Sequence, residues 1–169
     1  MAEGLVLPNQ TDLQKQLSNL ACGLAGVSTE LQEISRGIHP AILSEGGLGP
    51  ALKSLARRSA VPVSFQVTIE RRLSDAVEIA AYYVVAEALT NAVKHAQASQ
   101  VNVRAEIADD TLRLSIRDDG IGGADFGKGS GLIGLKDRVE SLGGQLKVTS
   151  QPGSGTSLDI AIRLDNDVE

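Results

Sequence analysis

Apolar residues recur along this chain with more than one period, and each period predicts a different element. Leu13, Leu17, Leu20, Leu24, Val27, Leu31, Ile34 and Ile38 follow one another at alternating spacings of four and three. That is an a/d seam of about three and a half heptads, the narrow stripe of a coiled coil or bundle helix. Gly23 and Gly26 lie off the seam, and each weakens the helix by about 1 kcal/mol relative to Ala. A helix this marginal needs a partner to bury its stripe. It either packs on its own domain or forms half of a dimerising hairpin whose other half lies upstream. The two-sevenths stripe favours the hairpin. Pro40 ends the helix, because the residue before a proline, here His39, is pushed out of the α region.

Downstream the period changes. Ser44 to Gly49 reads as a glycine-bearing connector and Leu48 to Arg58 as a short helix. Val61, Val63, Phe65, Val67 and Ile69 alternate with other residues as a strand. Ser74 is placed to cap a long helix from about Asp75 to Ala96. Val101 to Ile107 and Leu112 to Ile116 alternate again, with Asp109-Asp110 between them as a hairpin turn. Leu132 to Leu142 reads as a helix ended by Gly143-Gly144, which suits a left-handed cap. Leu146 to Ser150 and Ser157 to Leu164 are strands flanking a Pro152-Gly-Ser-Gly155 turn. The pattern predicts an α+β fold: helices on one face of a mixed, mostly antiparallel sheet, preceded by one long helix. Residues 1–40 form a partial dimerisation helix and residues 41–169 a second domain.

Composition narrows the function. The 169 residues are 42 % hydrophobic and 22 % charged, which is globular. With no Trp, two Phe and two Tyr, the core must be aliphatic and no base-stacking surface can be built. The net charge of −5 gives no basic excess to meet a phosphate backbone, so nucleic acid is not an expected partner. No apolar stretch is read as approaching the ~20 residues of a membrane span, and no signal-peptide pattern opens the chain. The single cysteine, Cys22, excludes a disulfide framework and suits a reducing cytoplasm. It falls opposite the heptad seam, where no chemistry is implied.

Three clusters carry candidate chemistry. On the long helix, Glu87, Asn91 and Lys94 sit at i, i+4 and i+7, within ~60° of one another. The amide oxygen of Asn91 suits a hard cation such as Mg²⁺, and Lys94 offers a point charge to phosphate. A polar helix edge that merely meets water would show the same spacing. His95 alone reads as a helix C-terminal cation or a packing residue, and with no second histidine nearby zinc is not expected. Asp118 ends a strand before Asp119-Gly120-Ile121-Gly122, and a half-buried carboxylate there can accept from an exocyclic amine. Gly120 and Gly122 allow close backbone approach and positive φ, although a bare Asp-Gly turn is common. Gly127-Lys128-Gly129-Ser-Gly131 opens a helix at Leu132, whose N–H groups can receive phosphates. Gly129 to Gly134 also fits G-x-G-x-x-G, but no strand directly precedes it and no βαβ unit follows. Gly122 to Lys128 fits most of a P-loop, but Gly129 stands where Ser or Thr should bind Mg²⁺.

In order, Glu87-x-x-x-Asn91-x-x-Lys94-His95, Asp118-x-Gly120-x-Gly122, Gly129-x-Gly131-Leu-x-Gly134 and Gly153-x-Gly155-Thr156 resemble the nucleotide-binding boxes of the histidine-kinase-like ATPase superfamily. The stretch Ile34 to Pro40 and the Leu135 to Val139 tail resemble the nitrate-sensor class of two-component sensor histidine kinases. The resemblance implies the superfamily's two-layer α/β sandwich, with ATP and Mg²⁺ held between helices and a lid. It implies that Asn91 coordinates Mg²⁺ beside Glu87, that Lys94 and His95 contact phosphates, and that Asp118 reads the adenine amine with Thr156 assisting. Gly120, Gly122, Gly129, Gly131 and Leu132 would frame the pocket, with Lys128 a further phosphate contact. Implied partners are a phosphoacceptor histidine helix, a response-regulator receiver domain and a second protomer, in the cytoplasm or the cytosolic part of a membrane-bound sensor. In such kinases the acceptor histidine lies on the first hairpin helix and is followed by an acid. His39 is followed by Pro40, so it is not read as the acceptor, and the chain alone is expected not to autophosphorylate. Two alternatives share the fold: a serine kinase of the anti-sigma-factor type, and a nucleotide-inactive module that only dimerises and transmits conformation.

Overall fold

Strand alternation sorts the residues of this chain to the two faces of a five-stranded sheet. In β2 (Val101–Ala108), Val101, Val103 and Ala105 are buried while Asn102, Arg104 and Glu106 are exposed. In β3 (Thr111–Asp118) Leu112, Leu114 and Ile116 point inward, and in β5 (Ser157–Arg163) Leu158, Ile160 and Ile162 do the same. The computed structural model describes residues 41–69, 71–124 and 130–164. The heptad stretch Leu13 to Ile38, Cys22, His39, Lys128 and Gly129 lie outside the described residues. Pro40–Glu169 forms one compact unit.

The strand order is β1-β2-β3-β5-β4, with β1 being Val63–Thr68 and β4 Gln145–Thr149. β1 runs parallel to β2, and every other pair is antiparallel. A parallel pair needs a crossover, and the 20-residue helix α3 (Asp75–Lys94) supplies it. Asp109 and Asp110 adopt φ of 50° and 51°, the left-handed pair of a tight two-residue hairpin between β2 and β3.

Helices cover the apolar face. Before α3 stand α1 (Ala41–Gly46) and α2 (Leu48–Arg58), and after β3 comes α4 (Ser130–Glu140). The connector expected from Ser44 is helical up to Gly46, and only Gly47, at φ 74°, breaks α1 from α2. Leu43, Leu48, Leu52, Val84, Val85, Val101 and Leu112 share one aliphatic core. Ser74 stands at the N-cap of α3, but its side chain makes no capping bond. Asp75 and Glu78 instead place acid in the first turn, where the helix dipole favours it. Gly143 ends α4 at φ 68°: its N–H donates to the Glu140 carbonyl at 2.9 Å, and that of Gly144 to Val139 at 3.1 Å. Those two bonds are the Schellman pattern that the Gly-Gly pair predicts.

One stretch departs from the sequence reading. By length and composition α3 is apolar enough to cross a bilayer. Half of its apolar window is buried inside the protein, and it is the central core helix. Glu78, only 1 % exposed, sits in this helix and is held by Arg72, whose Nε and Nη2 each donate to it at 3.1 Å. The Leu73 N–H adds a third bond at 3.1 Å, and Arg72 Nη1 reaches back to the Ser44 carbonyl of α1.

Candidate functional site

The last two turns of α3 present a polar edge on an otherwise buried helix. Glu87 and Asn91 are half-buried, and their neighbours Ala88, Leu89 and Ala92 are buried. Asn91 Nδ2 donates a long hydrogen bond to Glu87 Oε1 at 3.5 Å, which leaves Asn91 Oδ1 for a ligand. The helix then closes on Asn91, whose carbonyl accepts from His95 N–H at 2.9 Å and Ala96 N–H at 3.1 Å.

The turn after β3 is fastened to this helix end. Ile121 N–H donates to the Ala96 carbonyl at 2.8 Å. Gly120 is required by that approach, because a Cβ there would lie 2.3 Å from the Ala96 carbonyl oxygen. Its φ is not positive, so it is this close packing on protein backbone that requires a glycine here. Gly122 meets the other expectation, with φ 64°. Its missing Cβ also makes room for the Gln151 carbonyl oxygen, 2.1 Å from where that carbon would lie.

Asp118 is half-buried, and its Oδ1 accepts from Gly120 N–H at 2.8 Å and Thr156 N–H at 3.2 Å. The Asp118 N–H donates in return to the Thr156 carbonyl at 3.0 Å. Among the described residues no hydrogen bond is made to Asp118 Oδ2. A carboxylate oxygen with two lone pairs therefore remains at this wall.

A cleft of about 410 Å³ opens between these parts, within the range of small-molecule sites. Glu87, Asn91 and His95 line it from α3, Gly122 from the turn, and Thr156 from the entry to β5. Gly131 and Leu132 line it from the first turn of α4. Gly131 faces the Glu87 carboxylate, since a Cβ there would stand 2.6 Å from Glu87 Oε1 and displace that side-chain end. Farther along, Arg138 lies over the Tyr83 ring at 4.9 Å and ties α4 to α3. Among the described residues no group of three or more His, Cys, Asp or Glu could hold a metal. A cation here would rest on the Asn91 amide together with its ligand's own oxygens, as Mg²⁺ does when it keeps waters and phosphates.

Asp118 and Gly120 are not among the residues that line this cleft, and Lys94 lies elsewhere. It is exposed and lines a separate cavity of about 390 Å³ with Arg58, Tyr82 and Val93. Angle alone does not separate it, since at 100° per residue Lys94 lies within about 20° of Glu87; it is the last residue of α3, about two turns past Glu87, and the hollow it lines is shared with Leu55 and Arg58 of α2. Spacing put all three on one edge, and the helix edge divides between two hollows. Lys128 and Gly129 lie outside the described residues.

Two residues of the site were not singled out by sequence. Ser150 Oγ lies 2.9 Å from Thr156 Oγ1 and accepts from Ala124 N–H at 2.9 Å. The signal was the hairpin register, because Thr149 pairs Ser157 and the next rung brings 150 opposite 156. Asp119 accepts from Ser99 N–H at 2.7 Å, from Gln100 N–H at 3.0 Å and from the Ser99 hydroxyl. Chiefly the Ser99 hydroxyl, then the Gln100 N–H, hold its carboxyl below the ordinary aspartate range, against a smaller opposing effect of burial. Asp119 thus pins the α3–β2 connection to the turn that carries Asp118.

Residues 76–166 match the family described as histidine kinase-, DNA gyrase B- and HSP90-like ATPases. The chain belongs to this ATPase family. Among its relatives, the sensor histidine kinase NarS of Mycobacterium tuberculosis is 32 % identical over 161 residues, 89 % of this chain and 37 % of that protein. DegS of Brevibacillus brevis, a signal transduction histidine-protein kinase/phosphatase, is 33 % identical over 88 % of this chain and 40 % of its own length. The nitrate/nitrite sensor NarX of Escherichia coli is 32 % identical over 69 % and 21 %. The chain thus spans well under half of these relatives. In structure it is similar to the histidine kinase domain of a blue-light activated kinase from Erythrobacter litoralis, with TM-score 0.56 and 29 % identity over 68 % of this chain and 56 % of that one. The Acinetobacter baumannii kinase AdeS shares the fold alone, with TM-score 0.57 at 20 % identity over 96 % and 89 %. The fold is that of the histidine-kinase ATPase domain, and the relatives it is similar to are sensor histidine kinases.

Proposed function

We propose that this ATPase domain binds Mg-ATP in the cleft between α3 and α4 and donates the γ-phosphoryl group to a histidine on a dimerisation helix, for relay to a response-regulator receiver domain. One observation carries the site: Asn91 and Thr156 line the same cleft, and Thr156 is bonded to Asp118. Asp118 does not itself line that cleft, but its bond to Thr156 ties the carboxylate to the cleft that Asn91 lines, which supports reading the two as parts of one site. Asp118 Oδ2, which receives no hydrogen bond among the described residues, would accept from the adenine amine. Asn91 Oδ1 would take Mg²⁺, with Glu87 orienting the amide through their hydrogen bond. The N–H groups of Gly131 and Leu132, at the start of the 11-residue α4, would meet phosphate oxygens at the positive end of the helix dipole. His95 would supply a further polar contact, and Lys128 and Gly129 are assigned to the same phosphate side by their place in the motif.

ATP supplies the phosphoryl group. The residues of this chain position it and neutralise its charge, which is most of what phosphoryl transfer asks of a protein. The acceptor is placed outside residues 1–169, because His39 precedes Pro40 and His95 belongs to the cleft. Autophosphorylation is accordingly not expected of these 169 residues. The working compartment proposed is the cytoplasm, where ATP and a receiver domain are both available.

Calorimetric titration of the chain with ATP, with and without Mg²⁺, tests the site. Saturable binding lost in both Asn91→Ala and Asp118→Ala is the expected result. Unchanged affinity in both variants would dismiss the assignment.

A further inference from the structure

The antiparallel register of β3 and β5 does not stop where the strands do. Its last rung sets Arg117 opposite Ser157. Continued at the same pitch, it sets 118 opposite 156, 121 opposite 153 and 124 opposite 150. Each of these three pairs is hydrogen-bonded. Asp118 N–H donates to the Thr156 carbonyl at 3.0 Å, Gly153 N–H to the Ile121 carbonyl at 2.7 Å, and Ala124 N–H to Ser150 Oγ at 2.9 Å. The loop between β4 and β5 therefore runs alongside the turn from Asp118 to Ala124 and fastens it at every third residue.

The first two ties join backbone to backbone, whereas the third rests on one side chain. The Ser150 hydroxyl also donates to the Gly155 carbonyl at 3.4 Å and lies 2.9 Å from Thr156 Oγ1, where either oxygen can supply the proton. The bond from Ala124 occupies one lone pair of Ser150 and does not depend on that choice. Gly122, Gly123 and Ala124 line the cleft, as does Thr156, while Ser150 is not among the lining residues. Ser150 thus stands behind the wall and joins two of its parts. Between the ties at 121 and 124, Gly122 and Gly123 adopt φ of 64° and 79°. Two successive glycines have little conformational preference of their own, so the tie at Ala124 is what closes this stretch.

We infer that Ser150 is a positioning residue of the nucleotide site, which holds Gly122 to Ala124 in the wall of the cleft without touching the nucleotide. This rests on the ATP assignment above. It adds a residue outside the motif boxes on which the shape of the pocket depends.

The test uses the full 169-residue chain, unmodified, as Ser150→Ala and as Ser150→Thr. Hydrogen exchange without nucleotide reads the tie itself. In Ser150→Ala the Ala124 amide is expected to exchange about five-fold faster, the worth of one hydrogen bond, while the Gly153 amide keeps its protection. Calorimetry with ATP reads the consequence: affinity falls about five-fold in Ser150→Ala, by the same factor with Mg²⁺ and with EDTA, since the tie involves no metal ligand. Ser150→Thr, which keeps the hydroxyl, retains both protection and affinity. The binding stoichiometry reports the folded fraction, so affinity is read apart from any loss of fold. Unchanged Ala124 exchange in Ser150→Ala would overturn the proposal, as would ATP affinity equal to that of the parent. A loss confined to Mg²⁺, or a Ser150→Thr chain as weak as Ser150→Ala, would overturn it too. Faster Ala124 exchange in Ser150→Ala, with no saturable ATP binding by the unmodified chain, would instead remove the ATP assignment itself, and the role of Ser150 in that site with it.

Discussion

Asp118 and Thr156 hold each other by both backbone and side chain: the Asp118 N–H donates to the Thr156 carbonyl at 3.0 Å, and the Thr156 N–H donates to Asp118 Oδ1 at 3.2 Å. The last residue of β3 and the residue entering β5 thus form one unit. The carboxylate is oriented by its own neighbours before any ligand arrives. Pre-set acceptors of this kind cost little reorganisation on binding, so their contribution goes to recognition.

Asp118→Asn separates recognition from folding. The amide keeps an oxygen that can accept from Gly120 and Thr156, so the melting temperature should move by only a few degrees, within about 1 kcal/mol. Its other atom becomes a donor and faces the amine that the carboxylate would have met. Loss of a hydrogen bond to a charged group lowers ATP affinity by about ten-fold or more. Calorimetry and thermal melting on the same variant check the two halves.

Asn91→Ala and Lys94→Ala should behave differently, although three residues separate them on one helix. Asn91 lines the cleft and Lys94 lines the neighbouring hollow beside Tyr82 and Val93. Removing Asn91 should abolish most of the gain in ATP affinity that Mg²⁺ brings, a loss on the order of ten-fold or more. Removing Lys94 should change affinity less than two-fold, the scale of an exposed charge in salt. Titrations with Mg²⁺ and with EDTA distinguish them, and a large effect of Lys94 would show that it swings into the cleft on binding.

The sheet was legible because its strands are half-buried: Val101 to Ile107 and Leu112 to Ile116 alternate cleanly, and Asp-Asp between them accepts the left-handed turn. The Gly-Gly stop of α4 was legible for the same local reason. What escaped were relationships between segments. Lys94 has the right spacing, but which hollow it lines depends on where α2 lies. Ser150 and Asp119 look like ordinary turn residues until the chain brings Thr156 and Ser99 against them. Glu78 lies in the first turn of α3, and only the fold brings Arg72 across it. Short-range pattern reports backbone conformation, while side-chain partners far apart in sequence are set by packing.

Arg72→Ala should destabilise the domain without touching the cleft directly. Glu78 is 1 % exposed, and Arg72 is its ion-pair partner. Removing the guanidinium leaves a buried carboxylate held only by the Leu73 N–H, a loss of about 3 kcal/mol. Arg72→Lys should recover only part of this, because one ammonium cannot reproduce the two-pronged contact. Urea unfolding of the three proteins gives the order directly. An Arg72→Ala midpoint equal to that of the parent would mean the pair contributes nothing.

Acid should loosen the Asp118 turn through its neighbour. Asp119 has a carboxyl held below its ordinary value, mainly by the Ser99 hydroxyl and then by the Gln100 N–H. A lowered folded-state value means that the unfolded chain binds the proton more tightly. The associated stabilisation is therefore complete above the ordinary aspartate range of about 3.9 and is lost as pH falls through the lower folded value. Since Asp119 is solvent-exposed, the effect is a local release of residues 99 and 100 from the turn and not global unfolding. Asp119→Asn keeps one acceptor but removes the titration. Hydrogen exchange of the Ser99 and Gln100 amides, followed from pH 6 to pH 3 and corrected for intrinsic rates, should show protection falling with acid in the parent. In Asp119→Asn that protection should be lower and independent of pH. If the parent's protection were equally flat, Asp119 would not be what holds this connection to the nucleotide turn.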